Sequence, residues 1–131
     1  MIDLLIKLNK KAQKNGDVPV SCVIVKDGKI ISSAYNMKVK RNDPTAHAEI
    51  LAIKKAANKL RTFNLMDCEL YVTLKPCKMC ECVINEARIK KVYYIVDRQK
   101  NVNNTINFNQ IESSYYSYFS EELSSFFKRK R

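Results

Sequence analysis

The sequence has no hydrophobic run long enough to cross a membrane, and it contains only two glycines and three prolines. The N-terminal run of residues 2–8 is short and is interrupted by Asp3 and Lys7. It therefore predicts an amphipathic helix, and neither a signal peptide nor a membrane span. No Pro/Gly-rich linker, repeat or low-complexity tract divides the chain. We expect one domain, residues 1–131, with no membrane as a partner.

Acidic residues are also scarce, because 13 Asp and Glu stand against 24 Lys and Arg, for a formal net charge of +11. This excess suits a polyanionic partner such as nucleic acid. Lysines that only maintain solubility, or a coding bias toward Lys, Asn and Ile, would produce the same composition. Five cysteines without an export signal indicate a reducing compartment, the cytoplasm, where clustered cysteines bind metal or catalyse more often than they form disulfides.

Alternating helical and strand patterns predict an α/β fold. Apolar positions at spacings of three and four predict a helix over 2–14, and a Lys-Asp-Gly-Lys turn at 26–29 joins two β-rich runs. Asp43 and Pro44 indicate the N-cap and first position of a second helix. Further elements are expected as a strand at 69–74, a helix through 80–87, strands at 91–96 and near 105–110, and a last helix capped by Ser113 or Ser114. This order predicts a three-layer α/β/α domain around one mixed five-stranded sheet.

Some apolar and sulfur-containing side chains are expected in the core and not in a site. The last helix carries a stripe at spacings of three and four that is typical of core or interface packing, formed by Tyr116, Phe119, Leu123 and Phe126. Cys22 and Cys68 lie in or beside apolar strands, so we expect both to be buried core residues.

Three side chains form a candidate zinc site. Cys77 and Cys80 are three residues apart at a helix start, so both sulfurs can face one point as thiolates. His47, the single histidine of the chain, opens another helix and supplies a third ligand. One open tetrahedral position for water is typical of catalytic zinc, whereas a structural site needs a fourth protein ligand. Cys82, two residues past Cys80, should point away from the metal.

Glu49 is the candidate catalytic acid and base, because it lies two residues from His47 and can reach the water without binding the metal. Zinc lowers the pKa of its water to about 7. Attack on an amidine-like carbon then requires protons for the ring nitrogen and the departing amine, and one carboxylate can carry both. Cys-x-x-Cys alone would equally suit structural zinc or a redox pair. His-x-Glu and Pro-Cys-x-x-Cys, each opening a helix, together favour catalysis with one Zn²⁺ per chain.

These motifs resemble those of the cytidine/deoxycytidylate deaminase superfamily and, within it, the bacterial tRNA adenosine deaminases. The likeness runs from about residue 18 to residue 96 and resumes in the last helix. The matching segments are Val18-Pro19-Val20, Tyr35-Asn36, Asp43-Pro44-Thr45-Ala46-His47-Ala48-Glu49, Leu70-Tyr71-Val72-Thr73-Leu74, Pro76-Cys77-Lys78-Met79-Cys80 and the basic ending at 126–131. The long string at 43–49 and the basic ending separate the chain from free-nucleoside and guanine deaminases.

The resemblance implies a cytidine-deaminase-like fold and a homodimer that converts the wobble adenosine of a tRNA anticodon loop to inosine. In this family Asn36 would hydrogen-bond the purine, and the backbone at Ala48 would face the base edge. The target base would be flipped into the pocket from an already exposed loop. The basic tail would contact RNA through Lys128, Arg129, Lys130 and Arg131.

Two departures from the family pattern bear on the substrate. Lys75 stands where the family usually has Glu, and the segment 97–109 is short and has no glycine. Two other functions therefore stay open. One is a deaminase of a free base, nucleoside or nucleotide, and the other is a zinc-stabilised RNA-binding module. Glu49 speaks against the second, because a structural zinc site has no use for a carboxylic acid there.

Overall fold

The computed structural model describes residues 1–98 and 106–130, without the side chain of Lys130. Its elements are α1 (Ile2–Lys14), β1 (Ser21–Lys26), β2 (Lys29–Tyr35), α2 (Lys38–Arg41), α3 (Ala48–Leu60), β3 (Cys68–Leu74), α4 (Lys78–Glu86), β4 (Lys91–Val96), β5 (Asn107–Gln110) and α5 (Tyr116–Lys130). Within the two described ranges, no helix has the length and apolar character needed to cross a membrane.

The five strands form one mixed sheet, as the sequence predicted, and their order is β2-β1-β3-β4-β5. β1 is antiparallel to both β2 and β3, whereas β3, β4 and β5 are parallel. Parallel neighbours require a crossover, and α4 provides it between β3 and β4. The paired residues Leu74 and Val96 therefore end their strands at the same edge of the sheet. The candidate site lies at this edge.

Helices cover both faces of the sheet, which gives the expected three layers. The Ser21 hydroxyl donates a hydrogen bond to the Leu5 carbonyl in α1, and the Ser32 hydroxyl donates to the Ala52 carbonyl in α3. Ser32 pairs with Ile24, three residues along β1 from Ser21. Because successive side chains of a strand point to opposite faces, α1 and α3 lie on opposite sides. The core fills the space between the layers.

The predicted buried cysteines and the predicted hairpin are both present. Cys22 and Cys68 have 0% and 3% of their surface exposed. Asp27 and Gly28 both have positive φ, 51° and 75°, and they connect paired strands β1 and β2. Two consecutive left-handed residues give a turn whose twist matches that of the strands, and Asp-Gly favours this turn.

The second long helix begins later than the sequence predicted. Asp43 does not cap it; its carboxylate instead accepts hydrogen bonds from the backbone N–H and the hydroxyl of Thr45, both at 2.8 Å. Such an Asx turn competes with helix initiation in the same Asp-Pro signal. α3 starts at Ala48, with His47 as its extended N-cap residue, and the short α2 precedes it. This shift places the histidine at the helix terminus.

The C-terminal part of the chain agrees with the prediction except at Tyr116. Phe119, Leu123 and Phe126 are buried as expected, but Tyr116 is 43% exposed because α5 only begins there. The expected fifth strand is present at Asn107–Gln110, and residue 105 lies outside the described residues. Most of the short segment 97–109, namely 99–105, also lies outside them.

Candidate active site

Two helix starts meet at the carboxyl edge of the sheet and bring three metal-binding side chains together. His47 precedes α3, and Cys77 occupies the N-cap of α4, with Cys80 one turn further on. The Nδ1 atom of His47 lies 3.7 Å from the Cys77 sulfur and 3.5 Å from the Cys80 sulfur. The three ligand atoms lie within 4.8 Å of one another. The spacing argument from the sequence therefore corresponds to a real cluster.

The cluster has the dimensions of a zinc site. Zinc binds nitrogen at about 2.0–2.1 Å and sulfur at about 2.3 Å, so tetrahedral angles separate the two atoms by roughly 3.6 Å. The distances from His47 to Cys77 and Cys80 agree with this value. Cys82 is exposed on α4 and does not join the cluster, as predicted. Among the described residues, no fourth protein ligand closes the coordination.

The two thiols differ strongly in their affinity for a proton. Hydrogen bonds from Cys80 and then from His47 lower the pKa of Cys77 to about 3. The hydrogen bond to Cys77, followed by burial, raises the pKa of Cys80. Negative charge therefore concentrates on Cys77, at the positive end of the α4 dipole. A thiolate already present at this position favours a divalent cation.

Glu49 lies in the first turn of α3 and is 4% exposed. Burial is the largest influence on its carboxyl group and raises its pKa, while the charges of His47 and Arg98 act in the opposite direction. A carboxyl group with a raised pKa takes up a proton more readily near neutral pH than an ordinary glutamate.

Asn36 connects the end of β2 to the start of α3. Its side-chain oxygen accepts a hydrogen bond from the backbone N–H of Ala48 at 2.7 Å, and its own backbone N–H donates to the Val20 carbonyl. This arrangement fixes the orientation of the amide. Within the described part of the chain, its Nδ2 group makes no hydrogen bond and remains a donor. This hydrogen bond places the backbone of Ala48 beside Asn36. Contact between the Ala48 backbone and a base stays a prediction.

A cavity of about 590 Å³ joins these groups. Its lining includes Asn36, His47, Glu49, Arg98, Phe126 and Phe127. Such a volume is typical of a small-molecule or nucleotide site. The two phenylalanine rings meet edge to face with centroids 5.5 Å apart. The end of α5 therefore forms one wall of the cavity that contains the candidate metal ligand His47.

The basic tail follows directly on this wall, although it is distant in sequence from the metal ligands. Lys128 and Arg129 are exposed on α5, and the Arg129 guanidinium donates to the Gln13 side-chain oxygen of α1 at 3.0 Å. Lys130 belongs to α5, but its side chain and Arg131 lie outside the described residues.

Comparison with known proteins identifies the fold and its metal. The profile described as "Cytidine and deoxycytidylate deaminase zinc-binding region" matches residues 1–96. The chain belongs to this deaminase family. It is a zinc-dependent deaminase, and His47, Cys77 and Cys80 are positioned to hold one ion.

Relatives of this deaminase carry more specific names. The chain is 44% identical to the tRNA-specific adenosine deaminase of Aquifex aeolicus over 93% of its own length and 88% of that protein. It covers only 55% and 60% of two other bacterial proteins of the same name. A solved structure from work on A-to-I editing by tRNA:A34 deaminases at the wobble position shares 31% identity, covering 83% of this chain and 95% of that chain with a TM-score of 0.76. Guanine deaminase from Bacillus subtilis shares 34% identity over 88% and 87% of the two chains, with a TM-score of 0.65.

Sequence reasoning missed several parts of the deaminase's cavity. Phe126 was expected only as core packing, and Phe127 received no role beyond the basic ending. Arg98, two residues after the end of β4, was given no role of its own because no recognisable motif surrounds it. Two adjacent aromatic residues in front of a basic run are a signal that could have pointed to an RNA-facing helix end.

Proposed function

We propose that this deaminase converts the wobble adenosine of a tRNA anticodon loop to inosine, with water consumed and ammonia released. The observation that carries the proposal is the 44% identity to a tRNA-specific adenosine deaminase over nearly the whole of both chains. The cavity suits the reaction, because it combines a metal ligand, a buried carboxyl group, an amide and aromatic rings. A flipped purine in this cavity would meet groups for metal binding, proton transfer, hydrogen bonding and stacking.

Glu49 is the proton carrier in this proposal. His47, Cys77 and Cys80 would hold the zinc ion, which would supply a bound water with its pKa lowered to about 7. Glu49 accepts a proton from the attacking water and delivers it to the purine ring nitrogen. It then takes the second proton from the hydroxyl now on the attacked carbon and delivers it to the exocyclic amine, which leaves as ammonia while the carbonyl of inosine forms. Burial supports this role, because it raises the pKa of Glu49 toward the range in which a carboxyl group both accepts and releases protons.

Asn36 and the aromatic wall would hold the base. The side-chain oxygen of Asn36 is already bonded to Ala48, so its Nδ2 donor is directed by that bond and is available to a purine acceptor. The rings of Phe126 and Phe127 offer apolar surface to the base. Stacking on such rings stabilises an unstacked base by about 1–3 kcal/mol.

We further propose that the tail residues Lys128, Arg129, Lys130 and Arg131 contact the RNA backbone. The exposed side chains of the first two follow Phe127 at the cavity wall, where the phosphates that flank a bound base would pass. The formal charge of +11 supports a polyanionic substrate.

The proposal also covers the oligomeric state of the protein, its domain organisation and its cellular compartment. We propose a homodimer, supported by large apolar side chains left exposed after α3, at Phe63 and Met66. We propose one domain over residues 1–131, because buried residues from α1 to α5 belong to a single core cluster. The five free cysteines suit the cytoplasm, where thiols stay reduced.

The test is incubation of the zinc-loaded protein with a total tRNA pool, followed by mapping of inosine. The expected product is inosine at the wobble position of a tRNA that carries adenosine there. Glu49→Gln, nearly equal in size but unable to accept the proton, is the control for enzyme-dependent conversion. A pool without new inosine would contradict the substrate assignment.

Guanine is the second candidate substrate, because the B. subtilis guanine deaminase shares 34% identity over most of both chains. The same preparation should therefore be offered free guanine, adenosine and cytidine beside an anticodon stem-loop. Faster turnover of one of these free compounds than of the stem-loop would contradict the tRNA substrate and leave only the deaminase activity. Binding of the stem-loop without any turnover would leave a zinc-stabilised RNA-binding module.

A further inference from the structure

Both departures from the family pattern meet at the rim of the cavity. Arg98, within the short segment 97–109, directs its Nε–H to the backbone carbonyl of Lys75 at 2.6 Å. The backbone N–H of Arg98 donates to the Asp97 carboxylate at 2.8 Å, and that of Lys75 donates to the Val96 carbonyl at 2.9 Å. The side chain of Arg98 is thus attached to the residue that follows β3, and that residue is itself bonded to the end of β4.

The Lys75 ammonium group packs on aromatic rings, whereas Arg98 contacts the Lys75 carbonyl. It lies 5.2 Å from the centroid of Tyr94 and 5.0 Å from that of Phe108. Such cation–π contacts hold the lysine side chain against β4 and β5. The lysine therefore contributes its carbonyl to the rim, and the cavity lining takes its positive charge from Arg98 and Lys38.

The position of the Arg98 guanidinium group allows it to bind an anion in the cavity. Its planar fork has five N–H donors, of which the Nε–H is used by Lys75. Among the described residues, its two terminal amino groups have no hydrogen-bond partner, and the side chain is exposed and lines the cavity with Glu49. A fork held at Nε matches the spacing of two phosphate oxygens. A free base carries no anionic group for this fork, whereas a nucleotide carries a phosphate.

We propose that Arg98 binds a phosphate attached to the ribose of the target nucleotide, and so makes this site selective for nucleotides over nucleosides and bases. The proposal rests on the proposed function, because it assumes a purine nucleotide in the cavity. A deaminase of free guanine would not need this phosphate contact. Arg98 acts as a substrate-binding residue and takes no part in proton transfer.

The test uses probes that lack the reactive amine, so that binding is separated from turnover. Inosine, inosine 5′-monophosphate and inosine 3′-monophosphate are titrated into the zinc-loaded protein by calorimetry. We expect one monophosphate to bind at least about tenfold more tightly than inosine, the usual gain from a charge-assisted bidentate contact. The two isomers show which side of the ribose carries the phosphate.

Three variants decide the outcome. Arg98→Gln should remove the preference for the monophosphate and leave inosine binding unchanged, whereas Arg98→Lys should retain part of it through charge alone. Arg61→Gln, an exposed arginine at the end of α3 outside the cavity lining, should match the wild type. Equal affinity of the wild type for inosine and both monophosphates would overturn the proposal, as would an undiminished preference in Arg98→Gln.

Failure of this proposal is distinguishable from failure of the proposed function. A phosphate preference that depends on Arg98, without inosine in the tRNA pool, would retain the phosphate site and reject the tRNA substrate. Editing of tRNA by a protein with no phosphate preference would do the reverse. With the stem-loop, Arg98→Gln should raise KM more than it lowers kcat, and it should reduce the salt slope of binding by about one.

Discussion

Substitution of the three cysteines at the start of α4 should affect zinc content differently, because only two of them belong to the metal cluster. Cys77→Ser and Cys80→Ser each remove a ligand, so we expect the roughly one zinc per chain of the wild type to be lost. Cys82→Ser is the matched control, because Cys82 is exposed on the same helix and lies outside the cluster. Metal analysis of the purified variants gives the result. Full zinc content in both ligand variants would mean that other residues hold the metal.

Glu49 separates metal binding from chemistry at the residue scale. Glu49→Gln keeps the shape of a buried side chain and touches no ligand atom, so zinc content and RNA binding should be unchanged. The rate should fall on the order of a hundredfold or more, the usual contribution of a general acid–base group. Single-turnover kinetics with a saturating anticodon stem-loop measures this loss. A variant with near wild-type turnover would remove Glu49 from the mechanism.

At the scale of elements, hydrogen bonds attach α5 to α1. The two carboxylate oxygens of Glu122 accept from the side-chain amides of Asn9 and Gln13, at 2.9 and 2.7 Å. Asn9 is fully buried, and its own side-chain oxygen has no partner in the described residues. This attachment sets where Phe126 and Phe127 stand against the cavity. α1 thus positions the cavity wall formed by the end of α5. No residue of α1 was predicted from the sequence to belong to the site.

We expect Glu122→Ala to destabilise the fold and to weaken RNA binding. The change leaves the buried amide of Asn9 unpaired, which typically costs about 1–3 kcal/mol. Glu121→Ala is the control, because Glu121 is exposed one residue earlier on the same helix. Denaturant unfolding measures stability, and titration with the stem-loop measures affinity. An equal effect of the two variants would mean that the Glu122 contacts do not hold α5 in place.

At the scale of the whole molecule, charge predicts a strong salt dependence. A chain of formal charge +11 that contacts phosphates should bind the stem-loop less tightly as salt rises, with a slope proportional to the number of contacts. Removal of residues 128–131 should weaken binding and flatten this slope, whereas the rate at saturating RNA should change much less. Neutralising the same number of cations along the outer side of α3 is the control, at Lys54, Lys55, Lys59 and Arg61. Equal slopes for the wild type and the truncated chain would exclude the tail as a phosphate-binding element.

Local signals predicted most of the fold. The Asp27-Gly28 pair and the alternating strands on either side of it specified the β1–β2 hairpin, because turn chemistry and strand periodicity act over a few residues. Asp43 misled the prediction for the same reason: its carboxylate has two local uses, a helix cap and an Asx turn. Only the packing of α3 against the sheet selects between them.

The sequence by itself determined the chemistry of the metal centre. His47, Cys77 and Cys80 are identified by residue type and short spacing. Tertiary structure alone decided what surrounds that centre. Arg98, Phe126 and Phe127 reach the cavity because parallel strands end at one edge and because α5 packs back on α1. Such proximity depends on contacts between residues up to 116 positions apart, which no local pattern encodes.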